Sequence, residues 1–202
     1  MSKSRNKAID AHDEAYVRTW FIDLEILART HGWEPAAIIR AIDEKRAPAP
    51  TYTLANGVRM VPPDYFALLG APDEIDTLRE RFNKRYVKAA LAQAPTDTLL
   101  AEEWEGYISG GFGACLKDVS PESMFAKSKL IAAIKILLAA PDEKEMTWLL
   151  QLKDAVDALD ALEKPFAAFD RAHYGGPVSR DLYITDVRKR FFEGSVGTDR
   201  TP

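Results

Sequence analysis

Residues 24–66 read LEILARTHGWEPAAIIRAIDEKRAPAPTYTLANGVRMVPPDYF, and this stretch decides the fold. It contains a helix end at His31-Gly32, where glycine is the usual residue just past a helix. Glu34-Pro35 opens a second, short helix, since proline is tolerated in a first helical turn, and Ile38, Ile39 and Ile42 give it a buried face. Ala47-Pro48-Ala49-Pro50 ends it, because proline donates no amide hydrogen and biases its predecessor away from helix. Thr51–Leu54 and Val58–Val61 then flank Asn56-Gly57, which predicts a β-hairpin closed by a type I′ turn.

Upstream, Tyr16, Trp20, Leu24 and Leu27 recur at spacings of four, four and three, with Phe21 and Ala28 beside them, predicting one amphipathic helix that follows residues 1–9 and stops near His31-Gly32. Downstream, Pro62-Pro63-Asp64 leads into a helical turn that Gly70 closes. From Pro72 the pattern is helical almost to the end. Ile75, Leu78, Phe82 and Tyr86 share a face, and Leu99, Leu100 and Trp104 centre a helix over 96–107. The segment SGGFGACLKDV (109–119) loses helical period and reads as a loop or short extended piece. Ser120-Pro121-Glu122 supplies an N-cap, a first-turn proline and a first-turn acid for a helix to Ala140, whose apolar half from Leu130 reads as a buried core helix. Leu149, Leu152, Val156 and Leu159 stripe a helix over 142–162, and a last helix runs over 180–192. The expected class is mainly α: a winged-helix-like module with one hairpin at 10–70, a helical domain at 71–193 with the seam near Leu69–Pro72, and flexible ends at 1–9 and 194–202.

Composition narrows the function classes. The 202 residues are 47% apolar and 29% charged, which fits a globular chain and excludes collagenous or wholly disordered ones. A net charge of −4 gives no field that would by itself draw nucleic acid or membranes. One cysteine excludes an intrachain disulfide, and no apolar run approaches the ~18 residues of a membrane span, so the cytoplasm is the expected compartment and no membrane partner is expected.

Three groups of residues are candidates for chemistry. Cys115 is a nucleophile if a base such as His173 lies beside it, and otherwise a small buried apolar residue; His173 or Tyr174 can move a proton if their loop lines a pocket. Arg171 and Arg180, around a polar loop containing His173, Tyr174, Ser179 and Asp181, suit a carboxylate or phosphate; the alternative is capping and ion pairing, with Ser179 capping the last helix. Gly110, Gly111 and Gly113 admit an approaching anion or a tight turn, but match no phosphate-binding motif. His12, His31 and His173 are far apart, so neither a metal nor a cofactor is expected.

In helix, turn, helix and hairpin order, 24–66 resembles the opening module of the MerR-type regulators. The resemblance implies a reading helix at 35–44, with Arg40, Lys45 and Arg46 as base or phosphate contacts and Arg59 on the wing. Residues 1–66 carry nine Lys and Arg against nine Asp and Glu, whereas DNA contact normally uses a basic surface, so the module is alternatively a structural support. The stretches EWEGYISGGFGACLKDVSPESMFAKSKLI and PFAAFDRAHYGGPVSRDLYITDVRKRF resemble a small bacterial family of unknown function catalogued with natural-product biosynthesis proteins. That resemblance implies an accessory or regulatory protein of bacterial specialised metabolism, whose helical domain binds a small molecule or a protein partner. A cofactor-independent enzyme, a DNA-binding regulator and a homodimer stay open.

Overall fold

The computed structural model describes residues 11–91 and 94–193; the expected flexible ends at 1–9 and 194–202 lie outside them. Among the described residues the chain is mainly helical with one three-stranded antiparallel sheet. It divides into two compact units, the first ending at Ala126 and the second beginning at Lys127. No helix among them is long and apolar enough to cross a membrane.

In the first unit the 16–28 period is not one helix. It is broken into α1 (Ala11–Trp20) and α2 (Leu24–Thr30) by the two-residue strand β1 (Ile22–Asp23). Asp23 makes the break: its carboxylate accepts the Glu25 amide at 2.8 Å and the Ile26 amide at 3.3 Å, capping α2. Helix α3 (Pro35–Asp43) starts on its proline as expected, and β2 (Tyr52–Thr53) and β3 (Arg59–Val61) form the hairpin. β1 adds to β3, pairing Ile22 with Val61, so the sheet order is β1-β3-β2.

The turn differs in type from the expected I′. Leu54 N–H donates to Val58 O and Gly57 N–H to Leu54 O, with only Gly57 at positive φ (84°), so three residues bridge the strands. Ala55 and Asn56 form the helical-type corner and glycine the left-handed residue of a bulge, while Asn56 Oδ1 accepts from Val58 N–H at 3.2 Å. This keeps Tyr52 and Met60 paired and buried.

α4 (Tyr65–Leu69), a 3₁₀ turn (Pro72–Thr77), α5 (Leu78–Ala90) and α6 (Asp97–Ile108) follow. Phe82, buried completely, sits 5.5 Å from Trp104 and 5.2 Å from Tyr107, an aromatic centre shared by α5 and α6. The seam expected near 69–72 falls inside this unit and is bridged by hydrogen bonds: Trp33 Nε1 to Gly70 O at 2.9 Å and Arg81 Nη2 to Leu69 O at 2.8 Å. Residues 112–115, expected to be non-helical, form the single turn α7 (Phe112–Cys115). Gly110 before it and Gly113 within it permit close packing. A Cβ on Gly110 would lie 2.1 Å from Ala49 O, and one on Gly113 2.1 Å from Thr51 Oγ1, so backbone and side chain occupy the space an anion would need.

α8 (Pro121–Ala139) begins in the first unit, with Ser120 Oγ accepting from Ser123 N–H at 3.2 Å as its cap. In the second unit Ile134 of α8 packs with Trp148, Leu152, Val156 and Leu159 of α9 (Met146–Leu162) and with Ile184 and Val187. The expected buried core helix from Leu130 is buried on one stripe only. Ile134 is inaccessible while Ile136 is 72% exposed, because one face of α8 meets the α9 stripe. α10 (Ala168–Tyr174) follows. The last helix starts with a π-helical turn (Asp181–Thr185), in which Asp186 N–H reaches Asp181 O, before α11 (Asp186–Phe191).

Candidate functional site

The end of α3 is closed by a Schellman motif, with Lys45 N–H donating to Ile42 O at 2.9 Å and Arg46 N–H to Ala41 O at 2.8 Å. The left-handed residue that this motif requires is Lys45, at φ 56°, where glycine is the usual occupant. A lysine there carries about 1–2 kcal/mol of backbone strain, and strain of this kind concentrates where a side chain must be presented. Lys45 and Arg46 line a cleft of about 490 Å³ whose other walls are Ile75, Asp76, Leu78, Arg79 and Trp104.

The three cations of this cleft differ in their engagement. Arg46 is held by Glu44 at 2.6 Å and Asp76 at 3.1 Å, and its hydrogen bond with Glu44, opposed by burial and aided by the Glu44 and Asp76 charges, raises its affinity for the proton above the ordinary value. Arg79 lies with its guanidinium carbon 5.8 Å from the Trp104 ring centroid, a cation–π contact to an indole that is 7% exposed. Neither Arg79 nor Lys45 has a carboxylate partner among the described residues, and both are exposed.

A second polar cluster in the first unit pairs two carboxyl groups. Asp64 Oδ2 accepts from Val119 N–H at 2.6 Å, and Asp118 Oδ2 accepts from Ser120 Oγ at 2.6 Å and Ser123 Oγ at 2.9 Å. Asp64 Oδ1 is buried and no donor reaches it, and the Asp118 carboxyl lies beside this group. Burial first, and then the Asp118 carboxyl, push Asp64 up from the usual carboxylate value; at Asp118 burial is outweighed by the Ser120 and Ser123 hydroxyls, which hold it down. Burial, with the Asp64 charge adding to it, also pushes Tyr107 well above the ordinary phenol, keeping it protonated. Nearby, Arg85 clasps Glu122 through two bonds of 2.7 and 2.9 Å. The adjoining cleft, lined by Pro48, Pro62, Tyr65 and Tyr107, is smaller, about 300 Å³.

The expected catalytic set is not assembled within either unit. Cys115, half-buried on α7 with Sγ 3.5 Å from Phe112 O, belongs to the first unit, whereas His173 and Tyr174 lie on α10 of the second. His173 packs 6.0 Å from the Phe169 ring and 4.8 Å from Tyr174.

The two arginines of the polar loop are engaged in ion pairs. Arg171 donates to Asp181 and to Phe166 O. Arg180 donates to Asp160 and to Lys164 O, and Arg188 to Asp157 and Asp160, each at 2.7 Å. Ser179 does not cap the last helix; its hydroxyl donates to Glu163 at 2.6 Å, and Glu163 also pairs with Lys127 at 2.9 Å. This network gives the loop its ion-pairing role, the alternative to holding an anion.

Among the DNA-contact candidates, Arg40, on α3, is exposed, as is Lys45; Arg59 is half-buried on β3, and Arg46 is engaged by Glu44 and Asp76. Among the described residues no three His, Cys, Asp or Glu side chains are placed to hold a metal. Sequence reasoning singled out Lys45 and Arg46 for another purpose and missed Arg79, Trp104 and the Asp64–Asp118 pair. The available signal was Glu44-Lys45-Arg46 at a helix end that lacks glycine.

These features define a mainly helical protein with a small antiparallel sheet and a cationic cleft. The chain belongs to a family of unknown function, DUF6058, whose model matches residues 78–192. That match runs from the start of α5 through α11 and includes Arg79 and Trp104, while Lys45 and Arg46 lie before it. No curated protein and no solved structure matches the chain.

Proposed function

We propose that the protein is an accessory or regulatory protein of bacterial specialised metabolism that works by binding a small molecule. The observation carrying this reading is the cleft: two cations without carboxylate partners among the described residues, over a floor of Ile75, Leu78 and Trp104. Clefts that bind small molecules are mostly apolar with a few placed polar groups. The specialised-metabolism context rests on the sequence resemblance of the helical half. Incubating the protein with a small-molecule extract of its source cells and recording native mass spectra tests the reading. The expected result is one retained adduct, released chemically unchanged; no adduct sinks the reading, and a released molecule altered in many-fold excess over protein replaces it with an enzyme.

A second reading, a DNA-binding regulator with a winged-helix-like module, is favoured by one specific observation. The order α1, β1, α2, α3, β2, β3 with sheet order β1-β3-β2 suits a helix α3 that reads and a hairpin that touches backbone. Arg40, Lys45 and Arg59 would supply the contacts, whereas Arg46 is already engaged. Duplex binding that weakens steeply with salt and is lost in an Arg40→Ala/Lys45→Ala variant supports it; no binding at low salt removes it.

A further inference from the structure

The walls of the cleft at the end of α3 specify the charge of what they hold. Lys45, Arg46 and Arg79 line it with three positive charges and Asp76 with one negative one, and Glu44, bonded to Arg46 from outside the lining, adds a second. The set carries +1, and the unpaired members are Lys45 and Arg79. α5 begins at Leu78 and brings its positive end to the cleft. The N–H groups of Lys45, Arg46 and Leu78 are already bonded to Ile42, Ala41 and Ile75 carbonyls, and α3 points its negative C-terminal end this way. A phosphate dianion would leave one negative charge uncompensated beside Asp76.

The remaining wall is apolar. Ile75 and Leu78 are buried, and the Trp104 indole is covered on one face by Arg79. The flat guanidinium beside the ring carries N–H donors that match a planar acceptor, a chemistry suited to a carboxylate. Lys45 adds a point charge from the left-handed residue that closes α3.

We propose that this cleft binds an organic monoanion, a carboxylic acid with a flat apolar body, its carboxylate between Lys45 and Arg79 and its body on the Ile75–Leu78–Trp104 floor. This inference rests on the small-molecule reading and names the ligand class for it.

The test is a fluorescence titration of the full-length protein with 1-naphthoate, its neutral isostere 1-naphthamide, and inorganic phosphate as competitor. Lys45→Met and Arg79→Met are run beside Arg40→Met, which lies outside the cleft; all three positions are exposed, and matching thermal unfolding curves establish that the variants fold. The expected result is saturable 1:1 binding of naphthoate. The amide and each cleft variant bind about tenfold more weakly, as removal of one charge-assisted contact implies, Arg40→Met binds as the parent does, and phosphate in excess displaces nothing. Equal affinity for acid and amide, or displacement by phosphate, overturns the ligand class. Undiminished binding by both cleft variants overturns the site while leaving a binding protein. No naphthoate binding in a protein that still retains an adduct from cell extract overturns the inference alone, whereas absence of both overturns the reading it rests on.

Discussion

Gly110→Ala separates two roles of glycine in one experiment when it is run beside Gly32→Ala. Both residues have left-handed φ, 73° and 74°, so both alanines meet the same backbone penalty of about 1–2 kcal/mol. They differ in surroundings. A Cβ at 32 has nothing within 4 Å, whereas a Cβ at 110 falls 2.1 Å from Ala49 O and 2.9 Å from Ala49 C, about 1 Å short of a tolerable contact. The obstacle is main chain, which cannot rotate away as a side chain does. Relief separates 49–51 from 108–110 and strains the Ala49 N–H to Ile108 O and Thr51 Oγ1 to Gly110 O bonds, each contributing about 1 kcal/mol. With overpacking of about 1–3 kcal/mol, Gly110→Ala should cost about 3–5 kcal/mol and Gly32→Ala about 1–2 kcal/mol. For a chain of this size 1 kcal/mol moves the midpoint by about 2–4 °C, so Gly110→Ala should melt roughly 10 °C lower than the parent. The assay is urea and thermal unfolding followed by circular dichroism and tryptophan fluorescence, with separate transitions fitted where the two units do not unfold together. Equal losses for the two variants would refute the close-packing account of the glycine segment.

Asp64→Asn should raise the unfolding midpoint at pH 7 and lose that advantage near pH 4. Because burial raises Asp64 above its ordinary value, stability from this group is full below the ordinary carboxylate value and falls as pH rises through the folded one; a variant less stable than the parent at pH 7 contradicts that upward shift. Glu163→Gln removes the carboxylate that pairs with Lys127, 11% exposed, and should cost about 1–3 kcal/mol; urea midpoints of this variant, Lys127→Met and the double variant decide, and additive losses would show that the two charges are not coupled. Asp23→Ala should cost about 1 kcal/mol by removing the α2 cap, read as a drop in thermal midpoint, and an unchanged midpoint would mean that the pairing of β1 alone sets the break.

Helix positions were legible wherever an apolar period met a local stop signal. Pro35, Ser120-Pro121 and Thr96 start helices because their chemistry acts within one turn, and the structure places α3, α8 and α6 there. The break at Asp23 was hidden for the opposite reason: β1 exists through its pairing with Val61 and Met60, which are distant in sequence, while the three-four spacing runs through it undisturbed. The hairpin was visible in Asn56-Gly57, but its turn type depends on which residue turns left-handed, and that is settled by the Tyr52–Met60 register. The cleft was half legible. Lys45 and Arg46 are conspicuous as charges, yet Arg79 and Trp104 join them only through the packing of α5 on α6. Asp64 and Asp118 each read as an ordinary loop acid, and only burial and their meeting in space push Asp64 up from the usual carboxylate value.

The π-helical turn at Asp181–Thr185 holds one residue more than an α turn, so α11 beyond it is rotated by about 100° relative to an uninterrupted helix. That rotation brings Val187 inward and Arg188 to Asp157 and Asp160. When family sequences are aligned, a one-residue gap between 181 and 185 is therefore the change this region absorbs by rewinding to α. A relative carrying that gap should show matching replacements at the positions of Val187, Arg188 and Phe191, and a relative without it should keep all three in register.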